Sequence, residues 1–192
     1  MFIPSPARSE ATERLYQESQ SSEGFVMNLT RAWAWRPDLF HGFAQLRSQL
    51  MQQTSLSKRE LAVLVCATAS QLGDSYCSLA WGRTLSKEAD ATAAAAVIEA
   101  KDAPALTARD RALAAWARQV VRDPNGAART DIEALRAAGL TDQEIFDATA
   151  FIAFRLAFST VNDALGVAPD VELARQVAPE VRRAVAFGRE PG

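Results

Sequence analysis

The chain has 192 residues, of which 48% are hydrophobic and 23% are charged, and this ordinary globular composition excludes intrinsic disorder. Its net charge of −2 provides no general attraction for nucleic acid or for anionic lipid, so we expect neither as a partner. The single histidine, His41, excludes a histidine-rich metal site, and we expect no metal and no cofactor.

The N-terminal segment, the apolar runs and the cysteines indicate the cellular compartment of the protein. The N-terminus lacks the basic region and apolar core of a signal peptide, and no apolar run reaches the roughly 18 residues of a membrane span. Two cysteines, Cys66 and Cys77, do not make the disulfide framework of a secreted protein. We therefore expect a cytoplasmic protein with reduced thiols.

Helical periodicity dominates the chain, and no segment alternates in the manner of a strand. We expect an N-terminal arm and short helix over 1–24, a helical domain over 25–170, and a C-terminal helix or tail over 171–192; the bounds of the domain are those that a family resemblance implies. Within the domain, Pro37 is suited to the first turn of a helix that ends near Gln53. The alanine-rich stretch predicts a helix that begins at Ser86 and ends near Ala100.

Two helix starts share one motif. Ser57 and Glu60 form a capping box at the start of LAVLVCATASQLG, a segment that is apolar nearly all round. Thr141 and Glu144 repeat the box 84 residues later, ahead of a long apolar helix. The repetition is consistent with either a structural duplication or coincidence. Arg155 interrupts the second apolar helix, and we expect it to pair with a carboxylate across the core or at a subunit contact, with Asp163 and Glu60 as candidates.

The candidate reactive group is Cys77, near the start of a predicted helix whose partial positive charge lowers the pKa of a thiol. A thiolate there could attack a peroxide, although a free cysteine can equally serve as a small buried hydrophobe. Cys66 lies in the middle of an apolar helix and is expected to be core. Glu60 is explained by the capping box, unless its carboxylate turns toward a cavity to accept a proton.

At LSKRELAVLVCATASQLGDSYCSLAWGRTL the chain resembles the AhpD-like/carboxymuconolactone decarboxylase superfamily, and within it the uncharacterised peroxidase-related enzymes. Segments upstream (RPDLFHGF) and downstream (LTARDRALAAWARQVV and VNDALGV) extend the similarity over roughly residues 25–170. The resemblance implies an all-α, AhpD-like helical bundle that assembles into homodimers or higher homo-oligomers.

The resemblance also implies roles for individual positions. Cys77 matches the peroxidatic cysteine of the family, Glu60 its proton-relaying glutamate, and Tyr76 its motif tyrosine. Asp74 stands where the family has the resolving cysteine, and Trp81 stands where it has a histidine. These two departures mean that the usual disulfide cycle cannot close and that the usual base for the thiol is missing.

Three functions remain open at this stage. The first is a one-cysteine thiol peroxidase in which Cys77 attacks a hydroperoxide, Glu60 assists proton transfer, and an external thiol is the reductant. The second is an acid–base enzyme of the decarboxylase type, with Glu60, Asp74 and Tyr76 lining its cavity and an organic acid as substrate. The third is a non-catalytic member that binds a small molecule or a partner helix in an apolar pocket beside Trp81.

Overall fold

Eleven α-helices form the molecule, and the computed structural model describes all residues from 1 to 192. The helices are α1 (Glu10–Glu23), α2 (Asn28–Trp33), α3 (Pro37–Gln53), α4 (Lys58–Leu72), α5 (Ser75–Glu88), α6 (Ala91–Ile98), α7 (Ala108–Arg122), α8 (Arg129–Ala137), α9 (Asp142–Ala164), α10 (Val171–Arg175) and α11 (Pro179–Ala184). A 3-10 turn, Pro124–Gly126, joins α7 to α8, and there is no strand. The predicted all-α class is confirmed.

Helix α4 lies at the centre of the fold. It is buried on all sides from Glu60 to Ala69, and it packs against α5, α6, α7 and α9. A helix without a polar face gains stability only when neighbours cover it completely, which is the arrangement that its sequence predicts. The helices around α4 therefore hold the residues that follow it, including the start of α5, in a fixed position.

Both predicted capping boxes are present. Ser57 accepts a hydrogen bond from the backbone N–H of Glu60 at the start of α4, and Thr141 accepts one from that of Glu144 at the start of α9. Arg109, on α7, links the two boxes. Its Nε donates to Glu60 Oε1 at 2.5 Å and its Nη2 donates to Glu144 Oε1 at 2.8 Å. A single cation thus joins the N-terminal ends of the two helices that form the core.

Two helix boundaries differ from the predictions. Ser86 lies inside α5 and donates to the carbonyl of Gly82, whereas Asp90 caps the separate helix α6 by accepting from the N–H of Ala93. The C-terminal segment forms two short helices rather than one, because Pro179 lacks the N–H needed to continue a helix and instead begins α11. Leu173 and Val181 of these helices are fully buried in the core.

Helix α3 lies on the outside, against α9, and none of its residues is buried. Its apolar residues Leu39 and Leu46 are exposed, as are Phe146 and Val161 of α9. Phe40 and Phe43, in contrast, are half-buried between the two helices. None of the eleven helices has the length and hydropathy that crossing a bilayer requires.

A candidate active site around Cys77

The turn between α4 and α5 places Cys77 in the first turn of α5. Gly73 ends α4 in the left-handed conformation (φ 81°), which glycine adopts without a steric penalty. Asp74 then caps α5, and its Oδ1 accepts a hydrogen bond from the backbone N–H of Cys77 at 2.9 Å. The predicted position of Cys77 near a helix start is therefore correct, but a carboxylate already occupies that helix end.

The sulfur of Cys77 contacts two side chains of α9. Arg155 Nη2 lies 2.9 Å from Sγ, and the hydroxyl of Ser159, one helical turn further along, lies 3.6 Å from it. All three residues are buried, and Cys77 is 2% exposed. The sulfur consequently sits in a polar environment that is closed to bulk solvent in this conformation.

Burial raises the pKa of the Cys77 thiol to about 12. The charge of Arg155 and the hydrogen bond from Ser159 act in the opposite direction, whereas the neighbouring carboxylate of Asp74 adds to the increase. The thiol is therefore protonated at neutral pH in the resting protein. Arg155 is the principal group that favours its thiolate form.

Within the chain Arg155 forms no ion pair with a carboxylate, so the predicted pairing across the core with Asp163 or Glu60 is wrong, and a pairing at a subunit contact stays a prediction. Its guanidinium instead contacts the sulfur and lies over two aromatic rings, 5.0 Å from the centroid of Phe158 and 5.7 Å from that of Trp81. Its Nε–H is buried without a hydrogen-bond partner. Sequence reasoning left Arg155 outside the site, yet its guanidinium is the closest polar side-chain neighbour of the candidate nucleophile.

Other buried polar atoms near the start of α5 also lack partners. They include Asp74 Oδ2 and Ser78 Oγ. Burial and the charge of Asp74 raise the pKa of Asp163 to about 6, while Arg189, whose Nη1 lies 3.9 Å from Asp163 Oδ1, lowers it. Asp74 is thus a fully buried helix cap beside a second carboxyl group, and it cannot substitute for a resolving thiol.

Glu60 does not bond to Cys77. Its Oε2 accepts from the backbone N–H and the hydroxyl of Ser57, at 2.8 and 2.9 Å, and its Oε1 accepts from Arg109. Both carboxylate oxygens are therefore used to cap α4 and to tie it to α7. Neither oxygen hydrogen-bonds to the thiol in this structure, and the proton-transfer role of Glu60 stays a prediction.

Tyr76 is likewise held away from the sulfur. It is 1% exposed, and its hydroxyl donates to Asp170, which also accepts from the N–H of Asn28 at 2.7 Å. Burial, followed by the charge of Asp170, raises the pKa of the Tyr76 hydroxyl. The side chain joins α5 to the C-terminal part of the fold, and its predicted place among the catalytic groups is not supported.

The remaining predicted residues divide between the site and the core. Trp81 is half-buried, packs edge-on against Phe151 with centroids 6.3 Å apart, and forms one wall around Arg155. Cys66 is fully buried in α4, where burial raises its pKa, and it forms no disulfide with Cys77. His41 is bonded to Glu18 at the surface, 3.0 Å away.

A cleft opens between α3 and α9 and reaches Arg155. Eight residues line it: Phe40, Phe43, Ala44, Arg47, Phe151, Phe154, Arg155 and Phe158. Its volume is about 30 Å³ in this conformation, enough for two or three water molecules. This aromatic cleft is the route by which a ligand would approach the guanidinium that contacts Cys77. Glu60, Asp74 and Tyr76 do not line it, so the single cavity required by the acid–base hypothesis is not formed there.

These observations define a class of protein: an all-helical fold in which one buried thiol contacts a buried arginine. Comparison with solved structures then places the fold. An uncharacterised peroxidase-related protein from Ralstonia eutropha JMP134, with an alkylhydroperoxidase AhpD core, is 28% identical at a TM-score of 0.75, covering 90% of this chain and 93% of that chain. An uncharacterised peroxidase-related protein from Silicibacter sp. TM1040 is 23% identical at a TM-score of 0.78, over the same shares.

A third similar structure is a debrominase, Bmp8, in complex with 2,3,4-tribromopyrrole. It is 16% identical at a TM-score of 0.74 and covers 92% of this chain and 95% of that chain. No protein-family model matches the sequence, and no curated protein is significantly similar to it. The chain has the AhpD core fold and is similar to peroxidase-related proteins, which confirms the resemblance seen in the sequence.

Proposed function

We propose that the protein is a thiol-dependent, peroxidase-related enzyme in which Cys77 is the reacting residue and Arg155 is its cationic partner. The observation that carries this proposal is the 2.9 Å contact between Arg155 Nη2 and Cys77 Sγ. A buried guanidinium without a carboxylate is costly, and a thiolate is the one anion within hydrogen-bonding reach that would offset the cost. Arg155 thus replaces the missing histidine as the group that stabilises the ionised sulfur.

In the proposed reaction, the thiolate attacks the terminal oxygen of a hydroperoxide. The O–O bond breaks, the sulfur becomes a sulfenic acid, and the alkoxide leaves as the alcohol after it takes up the thiol's proton. One external thiol then condenses with the sulfenic acid, releasing water and forming a mixed disulfide. A second external thiol reduces that disulfide and restores Cys77, so two donor thiols are oxidised for each peroxide reduced.

The raised pKa of Cys77 supports a second candidate, a ligand-binding protein without turnover. A thiol whose pKa is about 12 reacts slowly at neutral pH, and the aromatic cleft still offers a binding surface. The debrominase of the same fold also shows that an aromatic molecule can occupy this architecture. The peroxide experiment separates the two candidates, because only the first predicts consumption of peroxide that depends on Cys77.

Homo-oligomer formation, which the resemblance implies, remains part of this proposal. The exposed apolar side chains Leu39, Leu46, Phe146 and Val161, on α3 and α9, support it.

The test measures peroxide consumption with dithiothreitol as donor across a range of pH. Since only the thiolate reacts and the pKa is about 12, we expect the rate to increase about tenfold per pH unit from about pH 7 to 10. Cys77→Ser should abolish the reaction, and Arg155→Met should slow it by at least tenfold because the thiolate loses its cation. Arg155→Lys should retain an intermediate rate.

The matched control is Cys66→Ser, which removes the other thiol and should leave the rate within about twofold. Circular dichroism checks that each variant is folded. Peroxide consumption that survives in Cys77→Ser would contradict the proposal, and so would a wild-type protein that is inactive even near pH 10.

A further inference from the structure

The aromatic cleft contains two arginines that face no carboxylate. Arg47, on α3, and Arg155, on α9, both line it, and neither forms an ion pair within the chain. Every other lining residue is phenylalanine or alanine. The cleft therefore combines flat apolar walls with an uncompensated double positive charge.

The two positive charges affect each other. Both arginines line the same small cleft, and burial, followed by the charge of Arg155, lowers the pKa of Arg47. Arg155 is 6% exposed, and its Nε–H lacks a hydrogen-bond partner. An anion placed between the two groups would relieve the repulsion and accept that unused hydrogen bond.

The apolar walls determine what kind of anion fits. Phe40, Phe43 and Phe158 are arranged around Trp33, with Phe158 stacked on the indole at 4.9 Å and Phe43 edge-on to it at 5.4 Å. A planar ring finds both face and edge partners in such a cluster. A small inorganic anion would leave these walls exposed to water, and a neutral ring would leave the arginines unpaired.

We propose that the aromatic cleft binds an aromatic monoanion, with the negative group between Arg47 and Arg155 and the ring against the phenylalanines. The present volume of about 30 Å³ admits only water, so the ring enters when the exposed side chain of Arg47 and the half-buried side chain of Phe154 move aside. Binding does not depend on the thiol reaction proposed above.

The binding experiment follows the intrinsic tryptophan fluorescence, to which Trp33 and Trp81 beside the cleft contribute, and compares benzoate with its neutral isostere benzamide. We expect benzoate to bind the wild-type protein at least tenfold more tightly, because only the carboxylate pairs with the arginines. Arg47→Gln should reduce the preference to about twofold or less. The matched control is Arg129→Gln, an exposed arginine of α8 without an ion pair, which should leave the preference unchanged.

Equal binding of benzoate and benzamide, a preference that persists in Arg47→Gln, or no binding of benzoate at about 10 mM would each overturn the inference. Charge-selective binding without peroxide turnover would refute the proposed function and leave the binding site standing. Peroxide turnover without a preference for benzoate over benzamide would refute the binding site and leave the proposed function standing.

Discussion

At the scale of single residues, the site is defined by what surrounds Cys77 rather than by the cysteine itself. Arg155 contacts its sulfur across 78 positions of sequence, and Asp74 caps its helix from three positions away. The arginine lowers the pKa of the thiol, while burial and the carboxylate raise it to about 12. The balance of these effects, and not the helix end alone, decides how much thiolate is present.

Asp163 provides a test of this electrostatic arrangement. Its pKa is raised from the ordinary 3.8 to about 6 because burial and Asp74 disfavour its charged form. The stability linked to this group is fully present below about pH 3.8 and is lost as pH rises through about 6. We expect Asp163→Asn to increase the free energy of unfolding by about 1–2 kcal/mol near pH 7.5, a value discounted because the side chain is 31% exposed.

Urea unfolding at two pH values measures this effect. The gain should disappear near pH 4, where the wild-type carboxyl group is largely protonated in the folded protein. Glu133→Gln, at an exposed carboxylate of α8 without an ion pair, is the matched control and should change stability little at either pH. A gain that is equal at both pH values would show that ionisation of Asp163 is not its cause.

At the scale of helices, Arg109 is the residue on which the arrangement of α4, α7 and α9 depends most directly. Besides its bonds to Glu60 and Glu144, it donates to the carbonyl of Gly139 at 2.6 Å, at the turn before α9. We expect Arg109→Met to lower the free energy of unfolding by about 2–4 kcal/mol, because two largely buried carboxylates lose their partner.

The pH dependence of this loss follows from Glu144. The hydrogen bond from Arg109 is the largest of the effects that hold the pKa of Glu144 at about 2 against its ordinary 4.5. The stability due to the pair is present above about pH 4.5 and fades as pH falls toward 2, so the cost of Arg109→Met should fade with it. Arg111→Met, which removes an exposed ion pair with Asp102 from the same helix, should cost less than about 1 kcal/mol.

Thermal or urea denaturation of both variants near pH 7 and pH 3 checks the prediction. If Arg109→Met is no more destabilising than Arg111→Met at neutral pH, then Arg109 does not hold the two helices together.

At the scale of the whole molecule, structural features set by residues close together in the sequence were predictable, and contacts between residues far apart in the sequence were not. The capping boxes at Ser57 and Thr141 were readable because a cap involves residues only three positions apart. The break before α6 was predicted at Ser86, four residues too early, because serine and aspartate both cap helices and alanine favours helix on both sides of Asp90.

The candidate site shows the same difference between features set by neighbouring residues and contacts made by the fold. Cys77 was identified from its motif and its place in a helix, both of which are local. The partner of Arg155 was not, because an arginine in an apolar helix indicates only that a partner exists, and the fold decides which one. Glu60 was assigned a role by resemblance, yet Arg109, 49 positions away, engages the oxygen that such a role requires.

The bridge made by Arg109 has a dynamic consequence. Helix ends normally fray independently, each with its own small free energy of opening. Here the first turns of α4 and α9 share one guanidinium, so opening either end breaks a bond that also holds the other. Amide hydrogen exchange should therefore report matched protection for these two turns, although they lie 84 positions apart in the sequence.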